Sequence, residues 1–468
     1  MSYKNFPHVY PREKYLSKIR PFYSSDVIKI ITGIRRCGKS FTLRAVINEL
    51  LANGVDEQNI IYLPLDKRGF KYIETPQQLE EKIEEYVKDE ASYYLFIDEV
   101  QNVSGFEKVV QSYQEEGFSI FLTGSNSYLL SDEISTKLTG RYVSFEIFTL
   151  DFSEYLEMKK FHNMTIDSDV YRELDEYILN GGFPKSLEFD DVGARNRYTT
   201  QIIDEIFTKD VRKRQTVRNL TLYERIQSYL INNFTSPFSL QNIMEYLERS
   251  GIKAKTMTVR NYIEYLQKAK IVYECNRFDL KSKQSLTREQ KYYLADLSLY
   301  YAVNTDARLS YGPSLENLVY LYLVSHDYKV SVGKIGNLEC DFIARNTHNE
   351  YAYIQVTYSM QGEDREKTKK IQEREYRPFR KISDGYPRYI ISLDRYGDQR
   401  EGVIHINALD LFLGKETIGR VKPSNLPRKI EFEKWLNEMS EYAAEVGMTE
   451  KDIAQAIADV RAKKRARE

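Results

Sequence analysis

Cysteine is scarce in this chain of 468 residues, which contains only Cys37, Cys275 and Cys340. The three lie far apart, so they form neither the framework of a disulfide-rich domain nor the paired spacing of a structural zinc site. This excludes a small disulfide-stabilised scaffold. It indicates reducing surroundings, and we expect a cytoplasmic protein.

Long apolar segments and a strong charge of either sign are also missing. No stretch of about 18 apolar residues occurs, and residues 1–16 contain no apolar segment of the signal-peptide kind. We therefore expect neither secretion nor a membrane span. Lys and Arg total 68 and Asp and Glu total 69, so the net charge is −1. This balance excludes a general attraction to nucleic acid or anionic membranes, and any such contact must be local.

The strongest positive pattern follows an apolar strand, Ile28–Thr32. Gly33-x-x-x-x-Gly38-Lys39-Ser40 matches the phosphate-binding loop GxxxxGK[ST] at every fixed position and leads into a predicted helix. The two glycines allow backbone angles that turn consecutive N–H groups inward around an anion, and the helix points its positive dipole end at the same place. Lys39 is predicted to contact the β- and γ-phosphates, and Ser40 to bind Mg²⁺.

A simpler interpretation of this segment is a strand–helix turn that binds nothing. The flanking strand and helix favour the phosphate loop, because chance matches to short patterns usually lack that context. The residues predicted to surround the phosphates are Gly33, Ile34, Arg35, Arg36, Cys37, Gly38, Lys39, Ser40 and Phe41.

A second apolar strand, Tyr93–Ile97, ends in two acids, Asp98 and Glu99. In a parallel sheet the ligand lies beyond the carboxyl ends of the strands, so these acids are expected at the same edge as the loop. Asp98 is predicted to hold Mg²⁺, directly or through water, and Glu99 to act as general base on the attacking water. The alternative is a strand that ends in a solvated acidic turn.

One more apolar strand, Phe118–Leu122, leads into Thr123-Gly124-Ser125-Asn126. With GIRRCGKS, YLFIDE, FLTGSN and LTGR, residues 28–150 resemble the AAA-type core of a prokaryotic, STAND-like P-loop ATPase family whose members add a C-terminal domain. The resemblance implies ATP as the nucleotide, Ser125 and Asn126 as γ-phosphate sensors, and Arg141 as an arginine finger, in cis or from a neighbouring subunit. A helix cap at Ser125 and a surface salt bridge at Arg141 are the alternatives.

The resemblance continues into Gly181-Gly182-Phe183-Pro184. STAND-like relatives place a Gly-x-Pro motif near the adenine and use it to sense the nucleotide state. Gly182 and Pro184 match that motif. A plain helix terminator explains the same residues equally well.

Beyond the core, residues 151–215 are predicted to form a helical lid and residues 216–300 a winged-helix unit. Its third helix, with Lys255, Arg260 and Lys268, is a candidate DNA-contacting element. In ATPases of this kind the same module often only packs beside the lid.

Residues 301–425 resemble a restriction-endonuclease-like domain. Its active members gather Mg²⁺ with acids and an (E/Q)-x-K triplet, and Glu316, Asp341 and Gln355 match these positions. Thr357 stands where the lysine is expected, and Lys367 is a nearby substitute. The resemblance therefore implies a degenerate, non-cleaving site, with nuclease activity as the alternative.

Together these patterns predict an α/β protein with an additional-strand P-loop NTPase core. The predicted segments are an N-terminal arm (1–23), the AAA-type ATPase core (24–150), the helical lid (151–215), the winged-helix unit (216–300), the endonuclease-like domain (301–425) and a basic helical tail (426–468). The predicted function is Mg²⁺-dependent ATP hydrolysis that drives a conformational switch of the C-terminal domains. The alternatives are a DNA-associated ATPase or nuclease, with DNA bound by the winged-helix unit or the tail, and an ATP-binding scaffold with negligible turnover. A protein is the other candidate partner.

Overall fold

A five-stranded parallel sheet organises the N-terminal part of the computed structural model, which describes residues 6–88, 92–124, 138, 140–212, 217–304, 308–395 and 400–419. Its strands are β1 (Ile28–Thr32), β2 (Ile60–Pro64), β3 (Tyr94–Asp98), β4 (Ser119–Thr123) and β5 (Tyr142–Glu146). They lie in the order β2-β3-β4-β1-β5, and neighbouring strands are parallel. The additional strand β4 therefore lies between β1 and β3, which confirms the predicted α/β core.

The strands are interior because their sequences are almost wholly apolar. Every residue of β1, β2 and β4 is buried, as expected of a parallel sheet with helices on both faces. The helices of this region are α1 (Glu13–Ile19), α2 (Lys39–Ala52), α3 (Pro76–Glu84) and α4 (Phe106–Glu115). The start of α3 is set locally, since Thr75 and Gln78 form a capping box around Pro76.

Residues 151–212 are mostly helical, and we call them the lid after their predicted role, which stays a prediction. They form α5 (Phe152–Phe161), α6 (Val170–Asn180), α7 (Val192–Ile206) and a π-helical turn, Phe207–Arg212. Asp151, Asp169 and Asp191 cap the three α-helices by accepting backbone N–H bonds, so each helix begins where its sequence supplies a cap.

Three further helices precede a β-hairpin, and the remaining elements complete a second sheet. They are α8 (Leu220–Asn232), α9 (Leu240–Arg249), α10 (Thr256–Lys268), β6 (Val272–Asp279), β7 (Gln284–Leu294), α11 (Ser298–Tyr301), α12 (Tyr311–Ser325), β8 (Lys329–Ile335), β9 (Leu338–Arg345), β10 (Tyr351–Val356), α13 (Arg365–Tyr376), β11 (Arg388–Ser392), β12 (Val403–Asn407) and α14 (Ala408–Phe412). The second sheet has the order β12-β11-β10-β9-β8-β6-β7.

The hairpin assigned to the winged-helix unit thus continues the sheet of the following segment. β6 pairs in parallel with β8, with Arg277 opposite Val332 and Asp279 opposite Lys334. The predicted division at residue 300 therefore does not coincide with a break between sheets. The reason is that residues 277–279 of β6 pair with β7 along one edge of the strand and with β8 along the other.

The described residues of Met1–Glu416 form one compact unit. The predicted basic tail, 426–468, lies outside the described residues. No described helix combines the length and the apolarity needed to cross a membrane.

Candidate functional site

The loop after β1 has a backbone that requires glycine at its first position. Gly33 has φ +143°, and a Cβ placed on it would collide with the carbonyl oxygen of Ile147. Gly38, at φ +112°, forms the N-cap of α2, which begins directly at Lys39. The loop and the positive end of a helix therefore meet at one edge of the sheet, as the motif predicts.

Lys39 lies inside this loop and is buried. Its ammonium group donates hydrogen bonds to the carbonyl oxygens of Gly33, at 2.9 Å, and Ile34, at 3.2 Å. These bonds hold the positive charge of Lys39 at the centre of the loop formed by residues 33–38. A ligand there would meet the charge and the helix end together.

Asp98 is the most heavily hydrogen-bonded acid at this edge. Its Oδ1 accepts bonds from the hydroxyl groups of Ser40, at 3.0 Å, and Thr123, and its Oδ2 accepts one from the Tyr62 hydroxyl at 3.2 Å. Burial raises the pKa of Asp98, while the bonds from Thr123 and Ser40 lower it. The carboxylate is therefore oriented by the two strands β2 and β4 and by the first turn of α2.

Glu99 follows in a left-handed backbone conformation, with φ +60°. Its N–H donates to the Thr123 hydroxyl at 3.0 Å, and its carboxylate contacts the side-chain amide of Gln101. This turn carries the carboxylate away from the strand, and Glu99 lines the open space above the loop.

That space is a cavity of about 1340 Å³, larger than the roughly 300–1,000 Å³ of typical ligand pockets. Residues of the arm, the loop, the ends of β2 and β3, and the lid helices line it. Those predicted from the sequence are Gly33, Arg35, Arg36, Gly38, Lys39, Ser40, Phe41, Asp98, Glu99 and Pro184. Ile34 and Cys37 are instead buried beneath the loop.

The arm contributes a wall of this cavity through His8, Tyr10 and Arg12. Arg12 is buried and donates to the carbonyl oxygens of Cys37, at 3.1 Å, and Phe148, at 2.8 Å. The same guanidinium forms a two-point pair with Glu154 of α5, at 2.8 and 2.6 Å. Arg12 therefore ties the phosphate loop to the first lid helix.

Both arginines of the loop also contact the lid. Arg35 pairs with Asp210 at 2.8 and 3.1 Å, and Arg36 pairs with Glu205 at 3.1 and 3.3 Å. Asp210 is buried, and it belongs to the π-helical turn after α7.

The two residues of the Gly-x-Pro motif have different surroundings: Gly182 is hydrogen-bonded in the interior, and Pro184 lines the cavity. The N–H of Gly182 donates to Asp296 at 2.8 Å, and its carbonyl oxygen accepts from Leu150 at 2.8 Å, so it joins the lid to neighbouring backbone. Pro184 lines the cavity, and its ring would be 4.0 Å from a Cβ placed on Gly38.

Arg141 lies at the other edge of the sheet, which corrects the prediction of a finger acting in cis. β5 is parallel to β1, with Tyr142 opposite Ile28, so Arg141 precedes the strand at the end remote from Gly33. Five residues of strand separate the two edges by roughly 16 Å. Arg141 instead pairs with Glu115 at 2.8 Å. Its role from a neighbouring subunit stays a prediction, and Ser125 and Asn126 lie outside the described residues.

Glu316, Asp341 and Gln355, the three positions that match the endonuclease-like site, lie close to one another. Their contacts include residues that the sequence analysis did not identify. Ile354 pairs with Phe342, which puts Gln355 beside Asp341, and Asp341 accepts the N–H of Val356 at 2.8 Å. Gln355 hydrogen-bonds to Glu375. Burial, and then the charge of Glu316, raise the pKa of Asp341.

Lys291 of β7 supplies the positive charge of this cluster. Its ammonium lies 2.9 Å from Glu316, 2.8 Å from Glu339 and 3.9 Å from Asp341. Burial alone would lower the pKa of Lys291, but the three carboxylates raise it. Across the described ranges, no group of three or more His, Cys, Asp or Glu residues is arranged to hold a metal ion.

Sequence reasoning missed several residues that shape these sites: Arg12, Tyr62, Thr123, Asp210 and Lys291. Thr123 stands at the tip of a strand that was correctly predicted, so its position was a usable signal. Arg12, Asp210 and Lys291 act across 25, 175 and 25 residues of sequence, respectively. No local pattern marks such contacts.

Comparison with known proteins supports this picture. The family described as "AAA domain" matches residues 25–156, and a domain of unknown function, DUF8612, matches residues 171–309. An uncharacterized protein of Haemophilus influenzae is 29% identical over 407 residues, which are 86% of this chain and 98% of that protein.

Among solved structures, the Walker-type ATPase PABY2304 of Pyrococcus abyssi is 17% identical, with a TM-score of 0.46 over 64% of this chain and 99% of that one. The Aeropyrum pernix ORC1 protein in complex with DNA is 13% identical, with a TM-score of 0.31 over 64% and 94%. The uncharacterized protein MJ1544 of Methanocaldococcus jannaschii is 31% identical over 365 residues, 74% of this chain and 78% of that protein. Residues 25–156 match the AAA domain family, and the chain belongs to the family of this M. jannaschii protein.

Proposed function

We propose that this protein binds ATP with Mg²⁺ across residues 33–40 and hydrolyses it. The observation that carries the proposal is the hydrogen bond from the Ser40 hydroxyl to Asp98 Oδ1, at 3.0 Å. It brings together, beside Lys39, the hydroxyl and the acid that P-loop enzymes use to hold Mg²⁺.

The residues at this point suit the metal chemically. Mg²⁺ prefers oxygen ligands, and Ser40 and Asp98 supply a hydroxyl and a carboxylate. Burial disfavours the charged form of Asp98 and raises its pKa, so a neighbouring cation would offset this cost. When bound with ATP, Mg²⁺ neutralises charge on the β- and γ-phosphates.

Residues of the chain would bind the phosphates and the base and would activate the attacking water. Loop N–H groups and Lys39 bind the phosphates, and Pro184 and Tyr10 offer a wall for the base. Glu99 holds and orients the attacking water, and its carboxylate accepts the proton. Thr123 fixes the backbone of Glu99, so that this carboxylate leaves the strand end at a defined angle.

The direct test compares Glu99→Gln with the wild type. We expect ATP turnover to fall by about 10²–10⁴, the usual contribution of a general base, with the dissociation constant for ATP little changed. Glu116→Gln, an exposed acid at the opposite edge of the sheet, is the matched control and should keep full turnover. Lys39→Ala should lose ATP binding itself. Unchanged turnover in Glu99→Gln would remove that residue from its role.

We further propose that hydrolysis moves the lid, and with it the elements that follow it in sequence. Support comes from the lid's contacts with the loop, through Arg35 and Arg36, and with the arm, through Arg12. These contacts make the position of the lid sensitive to what the loop holds.

For residues 301–425 we propose an endonuclease-like domain that does not cleave. Lys291 lies 2.9 Å from Glu316 and 2.8 Å from Glu339, so two acids of this cluster are already paired with a cation of the protein itself. DNA remains a proposed partner, since Lys253, Lys255 and Arg260 are exposed at the start of α10. Measuring ATP turnover with and without double-stranded DNA distinguishes a DNA partner from a protein partner. Stimulation by DNA supports the first, and unchanged turnover supports the second.

A further inference from the structure

The pairs that join the loop to the lid differ in burial. In the Arg35–Asp210 pair the side chains are 17% and 8% exposed, and two parallel contacts connect them. In the Arg36–Glu205 pair the arginine side chain is 46% exposed. Charge pairs in water are weak, whereas a buried, two-point arginine–carboxylate pair is strong and directional. Arg35 and Asp210 are therefore the significant connection.

This pair is located inside the candidate ATP site. Arg35, Asp210, Lys39 and Ser40 all line the same cavity. Arg35 belongs to the loop that would surround the phosphates, and Asp210 belongs to the π-helical turn Phe207–Arg212 at the end of the lid. Single π-helical turns are strained and are often found at functional sites.

The guanidinium fork of arginine fits a carboxylate and a phosphate equally well. A triphosphate on the loop would therefore compete with Asp210 for Arg35, and it carries more negative charge than one carboxylate. We propose that Arg35 contacts the terminal phosphate of the bound nucleotide and that Asp210 is the group it leaves to do so. This inference rests on the proposed function.

Two consequences follow. Arg35 supplies, from the same chain and the same edge of the sheet, the positive charge that Arg141 is too distant to provide. The exchange also removes Arg35 from Asp210 in the π-helical turn, and it does so only when a terminal phosphate is present. ATP and ADP would therefore act differently on the end of the lid.

A double-mutant cycle on the full-length protein tests this exchange, with titration calorimetry of a non-hydrolysable ATP analogue and of ADP in Mg²⁺. Asp210→Asn should tighten the analogue by about threefold or more, because Arg35 no longer has a competing partner. Arg35→Gln should weaken it by about tenfold. The double variant should match Arg35→Gln, and ADP should respond less than the analogue.

The double-mutant cycle distinguishes a change of partner by Arg35 from effects of fold stability or of general charge. If the pair only stabilises the fold, both single variants weaken binding. If Asp210→Asn acts through general charge, it tightens binding in the Arg35→Gln background too. Either result overturns the inference. Glu205→Gln is the matched control, since it removes a charge without releasing Arg35, and it should stay within about twofold.

A measurement on the wild type tests the exchange without depending on whether the variants fold. Hydrogen exchange of residues 205–212 should be faster with the ATP analogue than with ADP, and equal rates would overturn the exchange. Failure of the wild type to bind either nucleotide would instead refute the proposed function. Binding by the wild type with an additive cycle would refute only the role of Arg35 and Asp210.

Discussion

Thr123 shows how a single hydroxyl can organise a site. It donates to Asp98 and accepts from the N–H of Glu99 at 3.0 Å, so one side chain fixes the proposed metal-binding acid and the backbone of the proposed base. Its own position is fixed by β4, which lies between β1 and β3. Thr123 is fully buried and is not among the residues that line the cavity, so we regard it as a positioning residue.

Replacing Thr123 by Val keeps the shape and removes both hydrogen bonds. We expect kcat to fall by about tenfold or more, because losing hydrogen bonds to a charged group costs roughly 1.5–3 kcal/mol, and the Mg²⁺ concentration for half-maximal turnover to rise. Steady-state kinetics across an Mg²⁺ series measures both. Thr123→Ser restores the hydroxyl and should recover most of the activity. A valine variant with wild-type Mg²⁺ dependence would contradict this role.

At the scale of elements, the central strand of the sheet differs at its two ends. β1 ends in the loop, but near its start it carries Lys29, a lysine without solvent exposure. The ammonium donates to the carbonyl oxygen of Ser25 at 2.8 Å and to the Ser119 hydroxyl at 2.9 Å, and it lies over the ring of Phe121. Burial lowers the pKa of Lys29 to about 7, and the nearby Asp26 opposes this shift.

This lowered pKa makes stability depend on pH in a defined direction. From about pH 7 to 10.5 the folded amine is mostly neutral while the unfolded one still binds a proton, so stability increases with pH. The gain of the wild type relative to Lys29→Met should approach about 1.4 kcal/mol per pH unit in that window. Below pH 7 the difference should level off. Denaturant unfolding of both proteins at several pH values measures it, and parallel curves would rule it out.

Elements set by local sequence were predicted well, and those set by long-range pairing were not. The predicted strands 28–32, 93–97 and 118–122 agree with β1, β3 and β4 to within one residue, because each is a continuous apolar run. The joining of β6 to β8 and the location of Arg141 depend on which strands become neighbours. No local pattern contains that information, because the same residue types favour a strand whichever sheet the strand joins.

The candidate site divides along the same line. The phosphate loop and the two acids follow from motifs whose residue types are dictated by the chemistry of phosphate and Mg²⁺. The pair of Arg35 with Asp210 and the contact of Arg12 with Cys37 do not, because each joins segments far apart in the chain. Asp210 lies between Lys209 and Arg212, and nothing in this local sequence marks it as a partner of the loop.

At the scale of the whole molecule, the candidate site is not confined to the AAA domain. Three segments contribute to its cavity: the arm through Arg12, the core through Lys39, and the lid through Pro184. The arm also reaches the C-terminal part of the unit, since Lys14 donates to the Ser325 hydroxyl at 2.7 Å and Lys18 to the Ser325 carbonyl at 3.0 Å. A ligand in the cavity therefore contacts segments that are connected to most of the unit Met1–Glu416.

This arrangement predicts how nucleotide affects unfolding. A ligand that binds only the folded state at 100 times its dissociation constant stabilises it by about 2.7 kcal/mol. In a unit of this size that shifts Tm by about 3 °C. We expect the non-hydrolysable ATP analogue with Mg²⁺ to shift the whole transition rather than a part of it, because arm, core and lid share the cavity. Calorimetry of the full chain measures this, and Lys39→Ala should abolish the shift. A trace that splits into one shifted and one unshifted transition would show that the core binds nucleotide independently of the segments around it.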